Sequence, residues 1–260
     1  MPGIYFETDI AKSRETAAKR LENAGDVILN KEEVEAKLKD ILDQNKGVVF
    51  LGNHYHYING PKDAVMIAGL KEVADLRFYM PVTDYLLLLA RIANFVLNTH
   101  IETSGIVTPA IARRKGILGL IYGRRQGEGV IKYMRKTREI LSPFGDNKPG
   151  IMVAYPKFSR GDGKMGQLDP EEKQMIEGLA SSLKNNKPYF WPYASIALDN
   201  DGRIIIPKNM KEFKNYRIIY MFGEPINFND LPDMKHNGRY EGTAKLIHEK
   251  IKQKLPEGYR

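Results

Sequence analysis

The chain has 260 residues, a formal net charge of +8 and no cysteine. Without cysteine there are no disulfides, no thiolate metal sites and no thiol nucleophile. The 42% hydrophobic and 28% charged residues exclude wholesale disorder and fit one packed domain, with or without a helical appendage.

The excess of lysine and arginine suits anionic partners: phosphorylated metabolites, anionic lipid headgroups or nucleic acid. It equally suits a lysine-rich solvated surface. Met1-Pro2-Gly3-Ile4 leads into Glu7 and Asp9, which is not the basic-then-apolar order of a signal peptide. No run reaches the roughly 18 apolar residues that a membrane span needs, so no span is expected.

In chain order, residues 10–23 and 31–45 read as two charged helices. Val34, Leu38, Ile41 and Leu42 make an apolar stripe on the second, with Glu32 and Glu33 in its first turn. Between them, 26–30 reads as a short extended link. Strands and helices then alternate: strand 48–51, helix 64–73, strand 76–82 ending near Pro81, and an apolar helix over 85–97. That apolar helix, interrupted by Arg91, reads as buried core, or as one lying partly on a membrane surface.

Short strands are expected at 105–108 and 117–122, and a basic helix over 127–141. A strand at 151–155 leads into a glycine-rich loop over 156–166. Asp169-Pro170 opens a helix to about residue 183, with Asp169 as N-cap. Strands follow at 188–198, 203–206 and 216–222, the first two joined by the hairpin turn Asp199-Asn200-Asp201-Gly202. An amphipathic helix over 242–255 closes the chain. The pattern predicts an α/β fold: a mixed, mostly parallel sheet flanked by helices. Residues 1–46 form an N-terminal helical segment and 47–260 the α/β domain.

The stretch that organises this reading is Gly47-Val48-Val49-Phe50-Leu51-Gly52-Asn53-His54-Tyr55-His56. It runs as a buried strand, breaks at Gly52-Asn53, delivers two histidines, and turns at Asn59-Gly60-Pro61 before the next helix. In α/β folds, ligands sit where strands end in such turns, and histidine is the side chain poised to move a proton near neutral pH.

Separated pieces of the chain resemble the PlsC-like glycerol-3-phosphate and lysophosphatidate acyltransferases. The family's Asn-His-x-x-x-x-Asp motif is similar to Asn53-His54 with Asn59 at the Asp position. Its Gly-x-x-Phe-Ile-x-Arg block is similar to Gly119-Leu120-Ile121-Tyr122-Gly123-Arg124-Arg125, with Arg113, Arg114 and Lys115 as another basic run for the same task. Its Phe-Pro-Glu-Gly-Thr-Arg-Ser block is similar to Tyr155-Pro156-Lys157-Phe158-Ser159-Arg160. Trp191-Pro192 stands for its Val-Pro strand, and Gly223-Glu224-Pro225-Ile226 for its late Gly-x-Pro-Ile element. The resemblance covers about residues 47 to 230.

The resemblance implies that a fatty acyl group moves from a thioester to a hydroxyl of a phosphorylated glycerol or related lipid acceptor. His54 would be the general base, oriented by Asn59 or by Asp63. Asn53, His56, Arg113, Arg114, Arg125, Lys157, Ser159 and Arg160 would contact substrate. No cofactor is tightly bound; acyl-coenzyme A or acyl carrier protein serves as co-substrate. The partners are that donor, the phosphorylated or lipid acceptor, and an anionic membrane touched peripherally. The location implied is the cytoplasm or the inner face of the cell membrane.

Two departures matter. Asn59 can orient an imidazole but carries no charge, and Lys157 with Phe158 replaces an acidic residue and a glycine. They leave open a non-catalytic lipid or anion binder on the same fold. A metal-dependent hydrolase using His54 and His56 is a third reading; it needs further ligands, and only His100, His236 and His248 remain. No zinc-finger or RNA-motif signature points to a nucleic-acid partner, and Lys132, Arg135, Lys136 and Arg138 read as an exposed helix face.

Overall fold

The computed structural model describes residues 9–53, 59–83, 99–106, 131–143, 148–155, 165–168, 170–206, 216–232 and 240–259. In chain order these form α1 (Ile10–Asn23), β1 (Val27–Ile28), α2 (Lys31–Asp43), β2 (Val48–Gly52), α3 (Asn59–Ala68), β3 (Phe78–Thr83) and β4 (Glu102–Ile106). There follow α4, described over 131–141, β5 (Ile151–Ala154), α5 (Pro170–Ser182), β6 (Tyr189–Leu198), β7 (Ile204–Ile205), β8 (Arg217–Phe222), β9 (Ile226–Asn227) and α6 (Thr243–Lys254).

The sheet runs β1-β8-β6-β2-β5-β3-β4, with β7 and β9 also pairing to β6. The five strands β6, β2, β5, β3 and β4 are parallel to one another. β8, β7 and β9 run antiparallel to β6, and β1 pairs in parallel with β8. The sheet is thus mixed and mostly parallel, as the sequence predicts. Every residue of β2 is buried, the mark of a strand covered on both faces. Phe50 stacks on Trp191 at 5.4 Å on one face. On the other, Tyr79 lies across from Met152, which lies across from Val49, and its ring meets Tyr133 of α4 at 6.5 Å.

Several boundaries move. The helix expected over 64–73 occupies Asn59–Ala68. The Asn59-Gly60-Pro61 turn is its first turn, where proline's missing N–H is no loss. The strand expected to end near Pro81 continues to Thr83. Past Tyr79 it pairs with β4 alone, a one-sided setting that accepts a residue with no N–H to give. β4 begins at Glu102 rather than at 105. The apolar helix over 85–97 and the strand over 117–122 lie outside the described residues, as does nearly all of the loop over 156–166.

The link over 26–30 holds a strand. β1 extends the sheet beyond β8, with Val27 opposite Ile219. The described part of the N-terminal segment is tied to the rest by a buried cation. Arg14 of α1 is 2% exposed. Its guanidinium donates to the carbonyls of Thr99 (2.8 Å), Ala74 (3.1 Å), Leu76 (2.6 Å) and His100 (3.0 Å). It also sits 5.8 Å from the Phe78 ring centre. Burial lowers its pKa to about 10, partly offset by Asp75 and Glu102, and it stays charged at neutral pH. Beside it, Ala18 packs against Gly69 so closely that a Cβ on Gly69 would lie 2.2 Å from the Ala18 Cβ.

Arg14→Met keeps the stem but orphans those carbonyls. It is expected to lower unfolding free energy by at least about 3 kcal/mol, measured by urea unfolding. Arg14→Lys rescues only part of this, because one ammonium cannot span four carbonyls in a fixed fork.

Candidate functional site

β2 ends at Gly52 and β5 at Ala154, on adjacent parallel strands with Leu51 opposite Ala154. Asn53 and Tyr155 are the first residues beyond these ends. Behind them lies a buried polar cluster built from β2, α3, β5, β6 and β8. The C-terminal edge of parallel strands is where α/β folds assemble sites.

Asn53, 4% exposed, uses its amide as a surrogate strand residue. Its Nδ2 donates to the Ser195 carbonyl at 2.9 Å and its Oδ1 accepts from the Ser195 N–H at 2.6 Å. Both ends of the side chain therefore hold the tip of β2 to β6. Gly52 is what brings Tyr193 across that tip. A Cβ there would lie 2.3 Å from Tyr193 Cζ and 2.6 Å from its Oη.

Asp63, in the second turn of α3, is fully buried. Its Oδ2 lies 3.1 Å from Tyr193 Oη and 3.3 Å from Ser195 Oγ; Oδ1 has no hydrogen-bond partner among the described residues. Burial pushes its pKa well above the carboxylate range, while Tyr193, Ser195 and a weaker contact from Tyr220 pull it partly back. The Tyr155 hydroxyl donates to the Gly60 carbonyl at 2.8 Å. Burial, reinforced by Asp63, raises the Tyr155 and Tyr193 phenols well above 10. None of these phenols ionises near neutral pH.

The preceding residue of α3 makes the neighbouring contact. Lys62 Nζ lies 3.1 Å from Asp26 Oδ2 and 5.2 Å from the Tyr216 ring centre. Asp26 Oδ1 accepts from the Ile218 N–H at 2.8 Å. Burial raises the Asp26 pKa; Lys62 and the Ile218 amide oppose it. Two consecutive residues, Lys62 and Asp63, thus clamp α3 to the β8 and β6 side of the sheet.

Of the residues the sequence singles out, the structure describes the side chains of Asn53 and Asp63, and the backbone of Asn59 as the first residue of α3. His54, His56, Arg113, Arg114, Arg125, Lys157, Ser159 and Arg160 lie outside the described residues. Asn53 and Asp63 belong to one network through Ser195. Asn53 is occupied by backbone rather than open to substrate, and Asp63 faces Tyr193 and Ser195.

Sequence reasoning met Tyr155 and Tyr193 only as members of motif blocks, and gave no role to them, to Ser195 or to Tyr220. A signal existed: Tyr193 and Ser195 are polar residues two apart in an apolar strand, so both point to one face. Among the described residues, no group of three histidine, aspartate or glutamate side chains is placed to hold a metal ion. His248 is engaged with the Gly166 carbonyl at 2.9 Å. No described helix is long and apolar enough to cross a membrane. No family model matches the chain, and no curated protein matches it.

Because the folded state raises the Asp63 pKa, its stabilising contribution is complete below the ordinary carboxylate pKa of about 4 and is lost as pH rises through the folded-state value. Asp63→Asn removes this dependence. Its stability deficit against wild type should shrink between about pH 5 and about pH 8, read from urea midpoints. A constant deficit would mean that Asp63 ionises normally.

Proposed function

We propose that the protein transfers an acyl group from a thioester to a hydroxyl of a phosphorylated or lipid acceptor, on a PlsC-like acyltransferase fold. The observation that carries this reading is the β2–α3 crossing. A fully buried parallel strand ends at Gly52, and seven positions later α3 begins at Asn59. In the sequence, His54 follows that strand end and Asn59 opens the next helix, and the adjacent strand β5 ends alongside. The motif block Tyr155-Pro156-Lys157 leaves from that neighbouring strand end.

In this mechanism one ring nitrogen of His54 takes the acceptor's hydroxyl proton as the oxygen attacks the thioester carbonyl. The C–O bond forms and the C–S bond breaks. The proton passes from the imidazolium to the departing thiolate, giving ester and free thiol. Asn59 holds the ring through its amide. Arg125, Lys157 and Arg160, with Arg113 and Arg114, bind the acceptor's negative charge as point or bidentate partners. Acyl-coenzyme A or acyl carrier protein brings the donor. The net charge of +8 suits a peripheral approach to an anionic membrane.

One observation favours the second reading, a non-catalytic lipid or anion binder. Asp63, the acidic residue of α3, is engaged through Oδ2 by Tyr193 and Ser195, and burial raises its pKa well above the carboxylate range. Engaged there, it leaves the neutral Asn59 as the orienting group.

The test is thiol release from acyl-coenzyme A donors, with glycerol-3-phosphate, lysophosphatidate or membrane extract as acceptor. Acceptor-dependent release is expected, reduced about 10²–10⁴-fold in His54→Ala with an unchanged unfolding midpoint. Release at the wild-type rate in that variant removes His54 from the reaction. Asn59→Asp is expected to retain or raise the rate, since it restores charge beside the imidazolium. Thioester and lipid binding without release in either protein establishes the binder.

A further inference from the structure

We propose that the protein meets an anionic membrane through the end of the sheet opposite Asn53, where Lys46, Arg138, Lys148, Lys184 and Lys187 form one cationic face. This rests on the peripheral approach in the reading above and uses none of its chemistry.

The face is built by backbones that crowd together. Lys187, Lys46 and Lys148 come two, two and three residues before β6, β2 and β5, which are neighbours in that order. Val48 lies across from both Tyr189 and Ile151, so Lys46 and Lys187 approach their strands at the same level, about 4.8 Å apart strand to strand. Two glycines permit the convergence. A Cβ on Gly47 would lie 2.9 Å from the Leu141 side chain and 3.1 Å from the Gly150 carbonyl, and one on Gly150 would lie 2.5 Å from the Arg77 carbonyl. The Tyr189 N–H donates to the Gly47 carbonyl at 2.9 Å. Asn186 brings in the end of α4: its Nδ2 lies 2.6 Å from Ser142 Oγ and 3.3 Å from the Arg138 carbonyl.

Charge is left unbalanced there. Arg138, Lys148, Lys184 and Lys187 are exposed and Lys46 is half-buried. The acids at this end are engaged by other cations: Asp43 by Lys39, with Lys148 acting on it more weakly, and Glu139 by Arg77 and Lys136. Lys187 is a telling choice of residue. It follows α5 with φ 44°, its N–H donating to the Leu183 carbonyl at 2.9 Å. Glycine fills this left-handed position with least strain, and lysine there keeps a charge that glycine would lose.

The residue types suit a broad anionic surface. Four of the five cations are lysines, compact point charges on flexible stems rather than planar forks that grip one phosphate. None of the exposed large apolar residues, Ile10, Val27, Leu29, Ile131 and Ile204, belongs to the segments that carry them, so no described residue there stacks on bases. The helix ends turned to this face, those of α2, α4 and α5, are C-terminal, the wrong pole for cradling a phosphate. Dispersed headgroups need no such fit. Docked this way, the protein turns the tips of β2 and β5 away from the bilayer, toward an acceptor in solution.

The test is co-sedimentation of the full-length protein with vesicles of phosphatidylcholine containing about one-third phosphatidylglycerol, at low salt and without donor or acceptor. Wild type should bind these and not vesicles of phosphatidylcholine alone. Lys46→Gln, Lys148→Gln, Lys184→Gln and Lys187→Gln together should weaken binding at least about a hundredfold, at about fivefold per lysine. Lys19→Gln, Lys173→Gln, Arg217→Gln and Lys245→Gln together remove the same charge from exposed sites elsewhere. Binding should then stay within about threefold, since salt screens charges beyond about 10 Å.

Lys187→Gly separates docking from a structural role. Lysines that only balance the negative helix ends would leave vesicle binding unchanged when replaced. Docking predicts binding about fivefold weaker with a urea midpoint unchanged or raised. No vesicle binding by wild type, or equal weakening in the two quadruple variants, overturns the face. Tighter binding to duplex DNA than to the vesicles at the same salt overturns the membrane and makes nucleic acid the partner. Thiol release is read separately: its absence removes the acyltransferase reading and leaves the docking result standing.

Discussion

A strand hydrogen-bonded on both edges and covered on both faces has one place to go, the middle of the sheet, and β2 is such a strand. Its partners β5 and β6 hold it in parallel register, and its residues from Val48 to Leu51 are 0% to 1% exposed. Parallel neighbours cannot be joined by tight turns, so each needs a crossover long enough to hold a helix. β2 crosses through α3 to β3, on the far side of β5, so that two strands arriving later flank the tip of β2. That tip carries Asn53, and the chain goes on to His54.

The apolar ladder accounts for the sheet but not for the attachment of the helices. Buried polar groups do that. Arg14 holds α1 to four carbonyls from two loops. Lys62 and Asp26 hold α3 to β8. Asp63 holds α3 to β6. Such groups are costly to bury and specific once satisfied, because few arrangements satisfy every donor and acceptor. Asp26 and Asp63 show two solutions to one problem. Asp26 faces a lysine and a backbone amide, whereas Asp63 faces only hydroxyls, and burial raises its pKa well above the carboxylate range.

That difference bears on function. A carboxylate beside a catalytic imidazole works by its charge, and a carboxyl buried among hydroxyls works by geometry. In the acyltransferase reading, Asn59 orients the base and the Asp63 network holds the helix that carries Asn59. Of the orientation and charge that one aspartate combines in the family's motif, Asn59 then supplies only the orientation. In the binder reading the same network is a scaffold for an anion-binding turn.

Alternation of buried strands and amphipathic helices was legible in the chain itself, because side-chain periodicity reports local burial directly. The stretches Val48–Gly52, Ile151–Ala154 and Tyr189–Leu198 declare themselves by composition, and Asn53-His54 marks the strand end where chemistry is expected. Local signals were weaker where a neighbour decides. The two-residue β1 is a strand only because β8 is there to pair with it. Pro81 stays in β3 because the β5 side has ended. The cluster of Asp63, Tyr155, Tyr193 and Ser195 joins residues up to 132 positions apart. No periodicity encodes that meeting. It was decided when strand order set β2 between β5 and β6, and burial then raised the pKa of an ordinary aspartate.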